Sequence, residues 1–182
     1  MDEVLDVLNK NGEFENREAT REECHKEGYW HKGVVVFIVS EDNTKVLLQQ
    51  RSSKKKLWPI LWDLTAGGHV FAGELGYQAV IREAKEEIGV EINKDDLEFI
   101  GATTSENVKG DIINRQYNEY FIVHKDIDVK DIVLQEDEVQ DIKWFDKEEI
   151  IKKVNNNFED LTDKIGVWNY LIKYFEIIDK EG

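Results

Sequence analysis

The stretch GGHVFAGELGYQAVIREAKEEIGVE, residues 67–91, constrains this chain more than any other. A glycine pair opens it, Gly73 precedes Glu74, and Gly89 follows Ile88 near its end. Leu75, Ala79, Ala84 and Ile88 recur at helical spacing, so residues 74–88 are predicted to form a helix with one apolar stripe, stopped by Gly89. Glu83, Glu86 and Glu87 stand at i, i+3 and i+4 and share another face. Like charges at that spacing repel, so this face is either solvated or holds something positive. The glycines before the helix let backbone carbonyls and amides approach an ion or phosphate closely. Carboxylates clustered without His or Cys suit Mg²⁺ or Mn²⁺ rather than zinc.

The rest of the chain alternates strand and helix signals. DEVLDVLNKNGEF reads as a strand, an Asn11-Gly12 turn and a return. TREECHKEG carries a capping box, Thr20 with Glu23, and predicts a short helical turn before Gly28. GVVVFIVS is a β-branched run expected as a buried strand, and KVLLQQRS after the polar EDNT should close a hairpin with it. SKKKLWPILWDL, with the only proline, reads as a structured loop. LEFIGATTSE, NEYFIVHK and VQDIKWFD are strand-like, KEEIIKKV is a short amphipathic helix, and residues 158–180 read as a long terminal helix. Trp144, Trp168, Tyr170, Tyr174 and Phe175 are expected in the core. This order favours an α/β fold, helices sandwiching a mixed sheet, as one domain over 1–182 with an N-terminal hairpin unit at 1–30.

Charge and cysteine usage narrow the function. The chain holds 39 acidic and 24 basic residues, a formal net charge of −15, which disfavours duplex nucleic acid as a partner. It would also repel a polyphosphate unless cations intervene. Cys24 is the only cysteine, which excludes an intrachain disulfide and fits a cytoplasmic setting. No signal peptide and no membrane span are expected from the residues present.

From Gly68 the spacing runs five residues to Glu74, seven more, then Arg82-Glu83-Ala84-Lys85-Glu86-Glu87-Ile88-Gly89-Val90. This resembles the Nudix box, with Ala84 where a larger aliphatic residue is more common. The resemblance implies a diphosphate-cleaving Nudix-type α/β/α sandwich. It places divalent cations on Glu83, Glu86 and Glu87, adds the Gly68 carbonyl as a ligand, gives Arg82 the task of orienting a glutamate, and leaves Glu74 structural. Mg²⁺ is the implied cofactor, with Mn²⁺ as a substitute.

Over roughly residues 3 to 150 the chain is also similar to isopentenyl-diphosphate isomerases, through HKEGYWHKGVVVFIVS, VLLQQRSSKKKLWPILWD and Gly67-Gly68-His69. That likeness puts Arg51 and Lys55 on diphosphate-contacting positions. It puts His31 and His69 on metal-binding positions, His25 on a third with a one-residue shift, and Glu119 on one of that site's glutamates. Three departures argue against isomerase chemistry. The isomerase cysteine is Gly67 here, a further metal-site glutamate aligns with Tyr117, and the Nudix carboxylates that isomerases lose are retained.

The expected activity is therefore Mg²⁺-dependent hydrolysis of a small organic diphosphate, with Arg82, Glu86, Glu87 and Glu119 in catalysis and Arg51 and Lys55 on the substrate. Water activation near bound metal needs a base, and Glu119 on its strand is the candidate. The rival readings are an isomerase and a non-catalytic binding module on the same scaffold. The residue acting as base, a second metal site at His31 and His69, and a homodimer stay open.

Overall fold

The computed structural model describes residues 2–181. In chain order it contains β1 (Val4–Leu8), β2 (Phe14–Thr20), α1 (Arg21–Glu27), β3 (Trp30–Val39), β4 (Lys45–Arg51), β5 (Trp62–Asp63), β6 (Ala66–His69), α2 (Gly76–Ile88), β7 (Glu98–Lys109), β8 (Ile112–His124), β9 (Val139–Asp146), α3 (Lys147–Asn155) and α4 (Ile165–Glu181).

The strands form one mixed sheet around β3. Along one edge β3 pairs in parallel with β8, Trp30–Val39 against Arg115–His124. On the other, Gly33 to Val36 pair antiparallel with His69 to Ala66 of β6. An unbroken apolar run suits a strand covered on both faces. Val34, Val36 and Ile38 pack with α2, while Val35, Phe37 and Val39 join the layer of α3 and α4. The α/β/α sandwich expected from the sequence is thus the observed fold.

The hairpin expected between β3 and β4 exists only at its closed end, Ile38 opposite Leu47 and Val39 opposite Val46. Beyond that the strands part, and β4 continues beside β5 and β9. Thr65 bridges the gap. Its Oγ1 accepts from the Ile38 N–H at 2.9 Å and donates to the Leu47 carbonyl. This satisfies two buried backbone groups that the splayed ladder would orphan.

On α2, Ala79, Val80, Ala84 and Ile88 are fully buried, and Gly89 ends the helix at φ 67°. The small Ala79 and Ala84 let the helix sit close to the sheet. Leu75 does not join the stripe: it is the extended residue before the helix (φ −91°, ψ 151°) and 55% exposed. The terminal helix also begins later than expected, at Ile165 rather than 158. Asn157, Phe158 and Asp160 take left-handed φ, and Leu161 leaves the helical path to bridge Trp62. Trp168, Phe175 and Tyr174 are buried, as expected. Trp144 and Tyr170 are only half-buried, because their polar ends reach the Ile127 carbonyl (3.0 Å) and the Ala102 carbonyl (2.8 Å) at the core's rim. At the N-terminus the hairpin turns at Gly12 (φ 84°), and Thr20 and Glu23 form the capping box that starts α1.

Candidate active site on α2 and β6

Arg82 is the hub of the carboxylate helix. Its Nε and one terminal nitrogen grip Glu74 at 3.0 and 2.9 Å, a bidentate pair. The other terminal nitrogen donates to Glu83 Oε1 at 2.7 Å and lies 3.5 Å from Glu86. A further bond runs to the His69 carbonyl at 2.9 Å, and the guanidinium lies 3.8 Å above the Phe71 ring. Glu74 in turn accepts from the Phe71 N–H at 2.9 Å. The glycine-rich segment and the helix are therefore tied together through one side chain.

Glu83 points at Gly68, where a Cβ would run into its carboxylate. Glycine is required there by close approach rather than by backbone angle. Burial pushes the Glu83 carboxyl above its ordinary range, against the pull of Arg82. Glu87 is buried, accepting from Gln49 Nε2 at 3.0 Å and the Gly67 N–H at 3.2 Å. Burial, and then the Glu83 charge, push its carboxyl up to about 8. Glu86 is half-exposed. A buried carboxylate held by neutral donors lacks the countercharge that would keep it ionised. The donor set, carboxylate oxygens beside a backbone carbonyl, therefore fits a hard divalent cation.

Glu119 lies in the same cross-strand row as Gly68, both opposite Val34. Its carboxylate pairs with Lys32 at 2.8 Å and lies against Gly76, the first residue of α2, where a Cβ would collide with it. The basic segment after β4 is already paired. Arg51 bonds Asp63 at 3.3 Å and the Leu57 carbonyl at 3.1 Å, Lys54 meets Asp137 at 2.5 Å, and Lys55 meets Glu138. The Arg51 guanidinium, 16% exposed, holds the loop that carries Lys55. Trp62 packs edge-on against Phe145 at 4.9 Å, whereas Trp58 donates to Asp163 at 2.5 Å.

Three imidazoles converge nearby. His25 on α1, His31 on β3 and His69 on β6 have ring centroids 5.1 to 5.4 Å apart. His25 lies on α1, which ends at Gly28 (φ 70°) just before β3 carries His31. Glu119, aligned in sequence with a ligand of such a cluster, is instead held by Lys32 on the Val34 row. Tyr117 pairs with Lys32 in the ladder. Lys32, Gln49, Gly76 and Glu138 were not singled out from the sequence. Each meets the site through a long-range contact that no local pattern announces.

The NUDIX domain family profile matches residues 29–165. The chain belongs to the Nudix family. "Nudix hydrolase 3" of Arabidopsis thaliana is 36% identical over 152 residues, covering 81% of this chain but only 20% of that protein's length. The uncharacterized Nudix hydrolase lin0387 of Listeria innocua is 34% identical over 148 residues, covering 81% of this chain and 82% of its own. Among solved structures, DR0079 from Deinococcus radiodurans superposes with a TM-score of 0.71 over 92% of this chain and 98% of its own, at 20% identity. That likeness shows the shared Nudix fold alone.

Proposed function

We propose that this Nudix protein is a Mg²⁺-dependent hydrolase of a diphosphate linkage in a small organic diphosphate. The carrying observation is the helix face itself: Glu87 is buried beside Glu83 with only amide donors, an arrangement a divalent cation would offset. Glu83, Glu86, Glu87 and the Gly68 carbonyl are the groups that would hold the ion, and Mn²⁺ suits the same oxygens. When bound, the ion would neutralise charge on the phosphoryl oxygens and lower the pKa of the attacking water.

The chain's own residues supply the rest. Arg82 fixes the Glu83 carboxylate and, through Glu74, the turn that leads into α2. Glu119 is the candidate base that takes the water's proton as the new P–O bond forms and the anhydride P–O bond breaks, with Lys32 holding it in place. Lys55 offers a point charge to the diphosphate, and Arg51 supports the Lys55 loop. The hydrolase names of the relatives agree with this reading. The isomerase reading loses its acid–base residue, since Gly67 stands at the cysteine position and its N–H serves Glu87. Cys24 is buried among Leu5, Val7 and Ala19.

The test is a panel of nucleotide, nucleotide-sugar, coenzyme and isoprenoid diphosphates with Mg²⁺. Wild type is expected to release phosphate or a monophosphate, and Glu86→Gln and Glu87→Gln to lose most of that turnover. Undiminished turnover in both variants would sink the assignment. Isopentenyl diphosphate is expected to give no dimethylallyl diphosphate.

A further inference from the structure

Lys164, the residue before α4, reaches back to β5. Its Nζ bonds Asp63 Oδ2 at 2.5 Å, and Arg51 Nη1 bonds the same oxygen at 3.3 Å. Sharing one oxygen keeps the two nitrogens within about 6 Å of each other. The other Asp63 oxygen accepts from the Leu64 N–H at 2.9 Å and the Thr162 hydroxyl at 3.1 Å. One buried carboxylate therefore faces two cations, in a chain whose net charge is −15. The adjacent acid does not correct the imbalance, since Asp163 accepts from Trp58 Nε1 at 2.5 Å. Charges taken out of water are ordinarily matched, so this cluster is short of an anion.

Donors are in excess as well. An ammonium offers three N–H groups and a guanidinium five. Among the described residues Lys164 uses one, on Asp63. Arg51 uses three, two on the Leu57 carbonyl and one on Asp63. Both side chains are partly exposed, so a ligand can reach them, and the Trp58 ring lies 5.0 Å from Lys164 Nζ. Burial pulls the Lys164 ammonium below its ordinary range, with Asp63 opposing the fall and Arg51 adding to it. A second anion beside Lys164 would offset that penalty.

The cluster borders the carboxylate site. Asp63 stands opposite Gln49 in the β4–β5 ladder, and Gln49 Nε2 donates to Glu87 at 3.0 Å. Neighbouring strands lie about 4.8 Å apart, and the Glu87 charge acts directly on Lys164. The two segments that carry Trp58 and Lys164 to β5 hold large residues at left-handed angles: Trp58 at φ 49°, Ile60 at 69° and Phe158 at 58°. Such angles cost stability and gather at ligand sites. We propose that Lys164 binds the second phosphoryl group of the substrate, the one not held at Glu83, Glu86 and Glu87, and so selects diphosphates over monophosphates. This rests on the diphosphate reading of the carboxylate site. Lysine meets the phosphoryl oxygens as a point charge. Asp63 stays neutralised meanwhile by Arg51, with Thr162 and the Leu64 N–H on its other oxygen.

The probe is methylenediphosphonate, which carries two phosphoryl-like groups and no anhydride to cleave, titrated by calorimetry with Mg²⁺ present. Lys164→Gln is expected to weaken binding at least about 10-fold, and Lys164→Arg to retain most of the affinity. Thr162→Val, which removes a donor from Asp63 but leaves both cations, is expected to bind as wild type does. In wild type the bound probe is also expected to shield Lys164 from an amine-acylating reagent, read by mass spectrometry, which needs no variant to fold. The proposal falls if wild type does not bind the probe, if the probe gives no shielding, or if folded Lys164→Gln binds it as tightly as wild type. It falls equally if Thr162→Val weakens binding as much as Lys164→Gln, because the lysine would then act only by keeping Asp63 in place. None of these measurements depends on turnover. Lys164-dependent binding without cleavage of any substrate in the panel would overturn the hydrolase assignment and leave the subsite standing.

Discussion

Glu87 shows how a single buried carboxylate ties the stability of this fold to pH. Burial raises its carboxyl from 4.5 to about 8, so folding favours the protonated form. A group raised in this way contributes stability that is complete below about pH 4.5 and is lost as pH rises through about 8. In chelator, wild-type protein should therefore fall behind Glu87→Gln by on the order of a few kcal/mol between pH 5 and pH 8.5. Urea melts of both proteins across that range check this, and comparing the pair cancels the histidines, which titrate in the opposite sense. A constant difference between the two proteins would contradict the burial argument. The spacing of Glu83, Glu86 and Glu87 was legible in the chain, but the depth of Glu87 was not. The pattern says which residues share a face, whereas burial depends on what β4 and β6 place against it.

At the scale of elements, local signals did well where one stretch carried its own stop and start. The capping box of Thr20 and Glu23 and the left-handed Gly28 bound α1, and that helix delivers His25. Thr20→Ala removes the side-chain acceptor for the Glu23 N–H and should cost about 1 kcal/mol, read as a lower urea midpoint. An unchanged midpoint would mean that tertiary contacts alone hold α1. The β-branched run of β3 announced a strand covered on both faces. β6 had no such signal, because Ala66-Gly67-Gly68-His69 has no β propensity and is extended only through its pairing with β3. Leu75 and the start of α4 depart from the apolar pattern for a related reason. Apolar spacing continues past the true helix ends, and only the backbone angles at 75 and at 157–160 show where each helix begins.

Across the whole molecule, one buried ion cluster joins distant parts of the chain. Asp63 on β5 accepts from Lys164 at 2.5 Å, Arg51 at 3.3 Å, Thr162 at 3.1 Å and the Leu64 N–H at 2.9 Å. Burial alone would push its carboxyl up, but Lys164 and Arg51 outweigh it and hold the carboxyl below its usual range. Asp63→Ala leaves Lys164 and Arg51 without their anion and should cost about 3–5 kcal/mol in chemical denaturation. A loss below 1 kcal/mol would show that the residues around 52–62 and 158–164 are held by other contacts. The chain by itself determined the Nudix helix, the shared face of Glu83, Glu86 and Glu87, the glycine beside them and the α/β class, because each is written in spacing over a few helical turns. Only the tertiary structure decided that Arg51 is already paired, that Glu119 faces Lys32 and Gly76, and that His25, His31 and His69 meet. Those facts depend on the register of β3 with β6 and β8 and on the splay of β3 from β4, which arise when separate segments pack.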